Sequence, residues 1–106
     1  MSLTSDLIRG HTETIILAQL LKKDSYGYEI NKSIQQTTQG EYELKEATLY
    51  SAFRRLENAG MIESYWGDET TGARRRYYRV TPLGRALYET NQEDWEKTKK
   101  LIDSLI

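Results

Sequence analysis

The chain has 106 residues, the size of one small domain, and it contains no cysteine. Disulfides and thiolate metal sites are therefore excluded, and a reducing compartment is indicated. The formal net charge of -1 at pH 7 excludes a chain that is basic throughout. Because no run approaches the ~18 apolar residues of a membrane span, and the N-terminus lacks a signal core, we expect a cytoplasmic protein.

The first predicted helix spans about Thr4 to Lys22. The apolar side chains of its later half cover an arc of roughly 200°, whereas a helix buried on one side needs a stripe of only ~100°. They are Ile16, Leu17, Ala18, Leu20 and Leu21. We therefore expect this helix to be covered twice, once by its own domain and once by another surface.

A second predicted helix follows and ends at about residue 37. Asp24 and Ser25 are expected to supply capping oxygens at its start, since short polar side chains accept bonds from free backbone N–H groups. The residues expected to face inward are Tyr26, Ile30 and Ile34.

The third predicted helix, residues 46–59, separates an apolar side from a polar side. At 100° per residue, the apolar side collects Leu49, Ala52, Phe53, Leu56 and Ala59. The other side collects Ala47, Ser51, Arg54, Arg55 and Asn58. Small residues let a helix enter a DNA major groove, where arginine and asparagine reach base edges and serine reaches phosphate. Gly60 is placed to end this helix.

A β-hairpin is predicted directly after this helix. Met61–Trp66 and Arg75–Val80 have strand character, and the turn-rich segment GDETTGA separates them. An arginine run, Arg74 to Arg76, opens the second strand; taken alone, it also fits a solvated edge strand, because charged edges deter strand addition. The unbroken order of helix, recognition helix, glycine and basic hairpin instead favours a winged helix-turn-helix.

The positive charge is concentrated on the recognition helix and the hairpin. Residues 45–80 carry seven basic and five acidic side chains, whereas residues 1–44 carry four and six, and residues 81–106 carry four and five. DNA phosphates would lie against the basic segment. The near-neutral total is therefore compatible with DNA binding.

A last helix is predicted from Thr81, its cap, and Pro82, its first residue, to Ile106. Side chains recur along it at spacings of three and four, close to a heptad seam. They are Leu83, Leu87, Asn91, Trp95, Thr98, Ile102 and Leu105. A helix of about 24 residues is some 36 Å long, more than this small domain could cover.

We therefore expect a homodimer joined through the first and last helices. The alternative is a last helix that folds back on its own domain. The residues expected in the dimer interface are Leu17, Leu21, Leu87, Asn91, Trp95, Thr98, Ile102 and Leu105.

The chain resembles PadR-type transcriptional regulators over essentially its whole length. The resemblance is carried by YGYEI at residues 26–30, ATLYSAFRRLENAGMIESYW at 47–66 and GARRRYYRVTPLG at 72–84. The single last helix, with no further C-terminal domain, is similar to the compact subgroup that includes multidrug-responsive repressors. The resemblance implies a dimeric repressor that binds a palindromic operator, with the recognition helix at 46–59 and the wing at 66–76.

The resemblance also implies which side chains lie along the DNA. Relatives commonly have a small polar capping residue where this chain has Lys45, so we expect a weaker cap and an ammonium group near a phosphate. The wing arginines would grip the flanking backbone. The expected DNA-binding residues are Lys45, Thr48, Tyr50, Ser51, Arg54, Arg55, Arg74, Arg75 and Arg76.

Trp95 lies midway along the last helix, and three roles are open to it. It fills the dimer interface, stacks against its symmetry mate, or lines a cavity for flat aromatic or cationic ligands. The compact relatives imply the third role, in which a tryptophan at the matching place stacks planar drugs between the subunits. The facing wall would then consist of Leu7, Gly10, Thr14 and Leu17.

The sequence disfavours an enzyme. His11 is the single histidine and has no cysteine, second histidine or carboxylate pair at ligand spacing, so we expect neither a metal nor a cofactor. The sequence also lacks a phosphate-cradling glycine loop and a nucleophile elbow. A winged helix that binds protein instead of DNA is the stronger rival, but it predicts an acidic or apolar exposed face.

These features predict a mainly α chain with a small β-hairpin (α+β), a winged helix-turn-helix plus a long C-terminal dimerisation helix. We expect residues 1–80 to form the DNA-binding domain, with the wing at about 61–80, and residues 81–106 to form the dimerisation helix, within a single compact unit. The predicted function is ligand-responsive transcriptional repression at the nucleoid. The expected partners are an operator duplex, a second copy of the chain and a planar aromatic or cationic ligand.

Overall fold

A computed structural model describes residues 3–67 and 74–106 of the chain. The elements are α1 (Leu3–Arg9), α2 (Thr12–Lys22), α3 (Gly27–Thr37), α4 (Glu46–Asn58), β1 (Ile62–Trp66), β2 (Arg76–Val80) and α5 (Pro82–Leu105). The predicted fold class is therefore confirmed: helices, a small antiparallel hairpin and one long last helix. Most of the predicted turn of the wing, residues 68–73, lies outside the described residues.

The first predicted helix is wrong in one respect, because it is divided into α1 and α2 at Gly10 and His11. The backbone N–H of His11 donates to the carbonyl of Ile8 at 2.8 Å, which closes a tighter turn than an α-helix has. The hydroxyl of Thr12 donates to the carbonyl of Arg9 at 2.8 Å and so satisfies one of the groups that the break exposes. Glycine is a poor helix former, and the break falls where it stands.

The predicted caps of the second helix are also wrong. Tyr26, in extended conformation, is the N-cap residue of α3. Ser25 pairs with β2 instead: its N–H donates to the carbonyl of Tyr78 at 3.3 Å, and the N–H of Tyr78 donates to the carbonyl of Ser25 at 2.9 Å. Asp24 accepts a hydrogen bond from the Tyr65 hydroxyl at 2.5 Å. The segment before α3 therefore holds the wing rather than capping the helix.

The turn between α3 and α4 is fixed by Asn31. Its Nδ2 donates to the carbonyl of Leu44 at 2.7 Å, and its Oδ1 accepts from the N–H of Leu44 at 2.8 Å. Both halves of the amide are thus used to hold the segment that enters α4. Four of the five residues predicted for the apolar side of α4 are buried, Leu49, Ala52, Phe53 and Leu56, whereas Ala59 is the C-cap residue and is exposed. Gly60, with φ of 77°, follows the helix end in the left-handed conformation that favours glycine.

The wing is an antiparallel pair in which Ile62 lies opposite Val80 and Trp66 opposite Arg76. Its inner residue Tyr78 is buried, and its ring stacks on that of Phe53 with centroids 4.0 Å apart. Since Phe53 belongs to α4, the core itself sets the position of the wing relative to the recognition helix.

The start of α5 agrees with the prediction. The hydroxyl of Thr81 accepts a bond from the N–H of Gly84 at 3.1 Å, and Pro82 occupies the first turn. Gly84 is buried against the entry to β1. A Cβ atom at Gly84 would lie 2.0 Å from the carbonyl oxygen of Met61, so only glycine fits there without a shift of the backbone.

The hydrophobic core lies between α2, α3, α4 and the wing, with α2 at its centre. Leu17 is fully buried in this core, with 0% of its surface exposed. The predictions that Leu17 lines a ligand cavity and a dimer interface are therefore wrong, because its side chain is used inside its own subunit. Within residues 3–67 and 74–106, no helix is both long and apolar enough to cross a membrane.

Candidate nucleic-acid interface

The outer side of α4 carries the predicted recognition residues at different depths. Lys45 precedes the helix as its N-cap residue and is exposed, and an ammonium group offers no acceptor for the free N–H groups behind it. Tyr50 and Arg54 are exposed, whereas Thr48 and Ser51 are half-buried. The outer side of α4 thus presents three hydroxyl groups and the guanidinium group of Arg54.

Arg55 differs from the other predicted DNA-binding residues because it is tied to α2. Its Nε donates to Oε1 of Glu13 at 3.1 Å, and its Nη1 donates to the hydroxyl of Ser51, also at 3.1 Å. This pair links the recognition helix to the helix behind it. The carboxylate of Glu13 therefore partly compensates the charge of Arg55 within the chain.

The arginines at the start of β2 lie over aromatic rings. The guanidinium carbons of Arg74 and Arg76 are 5.4 and 5.8 Å from the centre of the Trp66 ring, and that of Arg75 is 4.9 Å from the centre of the Tyr26 ring. Such contacts hold a guanidinium group in place without neutralising it. The wing therefore presents cations whose positions are set by aromatic side chains.

Arg76 is held further by polar groups. Its Nη2 donates to the hydroxyl of Ser64 at 2.8 Å and lies 3.6 Å from the carboxylate of Glu57. Ser64 in turn donates to Glu57 at 2.6 Å. Because Glu57 belongs to α4, this network joins both strands of the wing to the end of α4.

Sequence reasoning missed Tyr28 and the role of Trp66. Tyr28 is 70% exposed, in the first turn of α3, and it lies with Tyr50 and the three wing arginines along one cleft of about 630 Å³. The available signal was the motif YGYEI, in which Tyr28 is two residues, or about 200°, from the buried Ile30. The cleft makes α3, α4 and the wing one continuous surface.

Two tyrosines of the wing have altered acidity. The hydrogen bond to Asp24, together with burial, raises the pKa of Tyr65, because only the protonated phenol can donate to a carboxylate. Burial raises the pKa of Tyr78. Both rings therefore stay neutral at physiological pH and act as packing and hydrogen-bonding groups.

A second cleft, of about 680 Å³, lies between α1, α2 and α5 and is largely apolar. Of the predicted ligand-binding residues, Leu7, Thr14 and Trp95 line it, whereas Gly10 lies in the break beside it and Leu17 is in the core. The rings of His11 and Trp95 meet edge to face at 4.9 Å. Lys99 Nζ lies 5.9 Å from the centre of the Trp95 ring and 3.1 Å from the carboxylate of Glu96.

The predicted dimer-interface residues divide into two groups along the chain. Leu21 and Leu87 are half-buried, and Leu87 packs against the core of its own subunit. Asn91 Nδ2 donates to the hydroxyl of Thr14 at 3.0 Å, which fixes α5 to α2. From Gln92 onward every residue of α5 is exposed. Among these exposed residues are Trp95, Thr98, Ile102 and Leu105.

The described residues hold no group of three or more histidine, cysteine, aspartate or glutamate side chains that could bind a metal ion. The polar side chains that line the first cleft are arginines and tyrosines. Such groups bind anions through charge and hydrogen bonds.

Comparison with known proteins agrees with this arrangement. A model of the transcriptional regulator PadR-like family matches residues 16–90. The chain is 52% identical to a transcriptional regulator from Clostridium thermocellum, whose structure matches with a TM-score of 0.90 over 99% of each chain. It is 36% identical to a PadR family transcription regulator from Clostridium difficile R20291, with a TM-score of 0.77 over 90% of this chain and 97% of that chain.

An uncharacterised protein from Lysinibacillus sphaericus is 48% identical over 99 residues, which are 93% of this chain and 91% of that protein. The family model covers well over half of the present chain, and both the recognition helix and the wing lie inside the matched range. The chain therefore belongs to the PadR-like family, whose members are transcriptional regulators and not enzymes.

Proposed function

We propose that this chain is a transcriptional repressor that binds a palindromic operator as a homodimer. The observation that carries the proposal is the continuous cleft in which Tyr50 of α4 meets the wing arginines, Arg74 to Arg76. Phosphates are attracted by such cations, and hydroxyl groups donate to phosphate oxygens. A protein-binding winged helix would need an acidic or apolar exposed face, whereas this surface is cationic and hydroxylated.

In this proposal α4 enters the major groove and the wing follows the flanking backbone. Arg54 and Lys45 lie at the groove, with Thr48 and Ser51 beside them, while Arg55 contributes through its ion pair with Glu13. Residues 1–80 then act as the DNA-binding part and residues 81–106 as the dimerisation helix. A regulator of this kind works in the cytoplasm, where the nucleoid is accessible.

The homodimer is supported by the outer half of α5. Every residue of this half is exposed in the single subunit, although Trp95 contacts His11: Ile102 is 47% exposed and Leu105 is 77% exposed. A contiguous exposed apolar stripe on a long helix is the usual mark of a subunit interface. Two recognition helices related by a twofold axis would then face half-sites about 34 Å apart, or a multiple of this spacing.

A ligand that releases the repressor would bind in the cleft around Trp95. The cleft is apolar, and its indole ring is 41% exposed, which leaves a face for a planar aromatic or cationic molecule. Such a ligand would regulate only if it favoured a spacing of the two DNA-binding parts that does not fit the operator.

The proposal is tested by titrating labelled duplexes from the region upstream of the gene into the purified full chain at physiological salt. We expect a preference for one palindromic duplex over a scrambled duplex of the same composition, with one dimer bound per duplex. Equal affinity for the two duplexes would exclude operator recognition. A preference for the palindrome with one monomer bound would exclude the dimeric mode of binding.

A further inference from the structure

Tyr28 is a large aromatic residue that the fold does not use. It is 70% exposed, although the buried Ile30 and Ile34 of the same helix pack into the core. A tyrosine that only stabilised α3 would place its ring against that core. The exposed ring and hydroxyl of Tyr28 are therefore available to a partner.

The cleft beside Tyr28 is suited to an anion. It is lined by Tyr26, Gly27, Tyr28, Tyr50, Arg74, Arg75, Arg76 and Tyr78, so the charged side chains among its described lining residues are all arginines. The carboxylate that follows in the sequence, Glu29, is 3.3 Å from Lys23 Nζ and is compensated by it. An anion in this cleft therefore meets cations and phenolic hydroxyl groups.

Tyr28 of α3 and the wing arginines line the same cleft. Arg75 on the wing lies over the ring of Tyr26, with 4.9 Å from its guanidinium carbon to the ring centre. The Tyr50 hydroxyl packs closely against Gly27, the first residue of α3, because a Cβ atom at Gly27 would lie 2.7 Å from it. Tyr28 is more exposed than Tyr50, 70% against 43%, so its hydroxyl and ring are the more accessible of the two.

We infer that Tyr28 is a further DNA-contact residue, whose hydroxyl donates to a backbone phosphate held in the cleft between α3 and the wing. The inference rests on the proposed DNA binding and adds a residue to it. A phenol is neutral, so its hydrogen bond to phosphate displaces no bound counterion, unlike a contact from arginine. It also carries no sequence information, because the phosphate is the same at every base pair.

The test compares Tyr28→Phe with Arg75→Gln in the full chain. Binding to the palindromic duplex and to a scrambled duplex is measured from about 50 to 200 mM salt, the range over which phosphate contacts change affinity strongly. We expect Tyr28→Phe to weaken binding about tenfold on both duplexes, the loss typical of a hydrogen bond to a charged group, with the salt slope unchanged. Arg75→Gln should lower the slope by about one.

Tyr42→Phe is the matched control, because Tyr42 packs against the core at the turn between α3 and α4. It should bind both duplexes like the wild type, and thermal melting of all variants should show that they are folded. Unchanged affinity of Tyr28→Phe, with wild-type operator binding intact, would overturn the inference and leave the proposed function standing. A loss confined to the palindrome would assign Tyr28 to a base and overturn the phosphate contact. If the wild type preferred no duplex, both proposals would fail.

Discussion

At the scale of single residues, the arginines of the proposed interface differ in what surrounds them. Arg54 and Arg55 are neighbours on α4, yet Arg55 is bonded to Glu13 of α2 and to Ser51, so part of its charge is already compensated. The position of a side chain in a helical projection does not reveal such a bond. The two arginines therefore form a natural comparison.

We expect Arg54→Gln to weaken operator binding by about 1–3 kcal/mol and to relax the base preference at one position of each half-site. Arg55→Gln should weaken operator binding by less than about 1 kcal/mol, since it removes a solvent-exposed ion pair within the protein and no contact with a base. Competition binding against operators with single base changes measures both effects. Equal losses for the two variants would place Arg55 at the DNA as well.

Tyr65 provides a prediction about pH, because its hydroxyl bonds to Asp24 across 41 residues of sequence. The raised pKa of Tyr65 means that the folded protein keeps this proton longer than the unfolded chain does. The stabilisation is therefore fully present below the unfolded value of about 10 and is lost as the pH rises from there through the folded pKa.

We expect Tyr65→Phe to be less stable than wild type by about 1 kcal/mol at pH 7, less than a fully buried hydrogen bond to a charged group gives, because this bond is only partly buried. The difference should shrink above about pH 10. Urea unfolding of both proteins at pH 7 and above about pH 10 measures the difference in the free energy of unfolding. The titration of the other tyrosines, which both proteins share, cancels in this comparison. A difference that stays constant across this range would mean that the bond to Asp24 does not stabilise the fold.

At the scale of elements, Gly84 decides how α5 leaves the wing. Gly84→Ala would place a methyl group 2.0 Å from the carbonyl oxygen of Met61 and 2.9 Å from Val80, so α5 must move away from both residues. We expect a loss of about 1–3 kcal/mol or more in the free energy of unfolding, as for overpacking elsewhere. Gly10→Ala is the control, because its nearest neighbour would be the carbonyl of Leu7 at 3.8 Å, an ordinary contact.

Thermal unfolding distinguishes the two variants. Gly10→Ala should be neutral or slightly stabilising, since the φ of Gly10 is not positive and alanine restricts the unfolded chain more than glycine does. If Gly84→Ala were as stable as the wild type, the start of α5 would not be packed on Met61 and Val80 as closely as described.

The elements that could be predicted from sequence are those with local signals. Three confirmed predictions each depend on a few neighbouring residues. They are the apolar side of α4 with its helical spacing, the Thr81 cap with Pro82, and Gly60 after α4. The capping role of Asp24 failed because a distant tyrosine takes its carboxylate. Similarly, Ser25 failed as a cap because it pairs with β2.

The remaining errors concern which partner covers an apolar side chain. The wide apolar arc of the first predicted helix indicated two covering surfaces, but the pattern did not assign Leu17 to either, and the core takes it completely. The same limit applied to Leu87, which packs on its own core while later residues of α5 remain exposed. The cleft that Tyr28 lines is likewise a tertiary property, since it is formed by residues of α3, α4 and the wing together.

At the scale of the whole molecule, the proposed dimer separates the two halves of α5. We expect Ile102→Glu to give a folded monomer, because Ile102 is 47% exposed, lies outside the core and lines an open cleft, so a glutamate there reaches solvent unless a second copy covers it. Leu87→Glu should instead unfold the subunit, since Leu87 packs against the core. Light scattering gives the mass, and circular dichroism gives the helix content. A stable dimer of Ile102→Glu would place the interface on another surface.

The cleft around Trp95 leads to the last prediction, which concerns the charge of the ligand. Lys99 already lies 5.9 Å from the centre of the indole ring and pairs with Glu96, so a planar cation must displace it from the ring. We therefore expect Lys99→Ala to bind a planar cationic dye several-fold more tightly than wild type, as expected when a competing cation–π contact of about 0.5–1 kcal/mol is removed. It should bind a planar aromatic anion less tightly.

Tryptophan emission follows the titrations, because the chain has two tryptophans and only Trp95 lines this cleft among the described residues. Trp95→Ala should abolish the response to both dyes, whereas Trp66→Phe on the wing should keep it. Release of the operator by the same dye would connect the cleft to regulation, through a ligand-bound dimer whose recognition helices no longer match the half-sites. If the wild type showed no change in emission and Trp95→Ala lowered only thermal stability, Trp95 would be a packing residue of the interface.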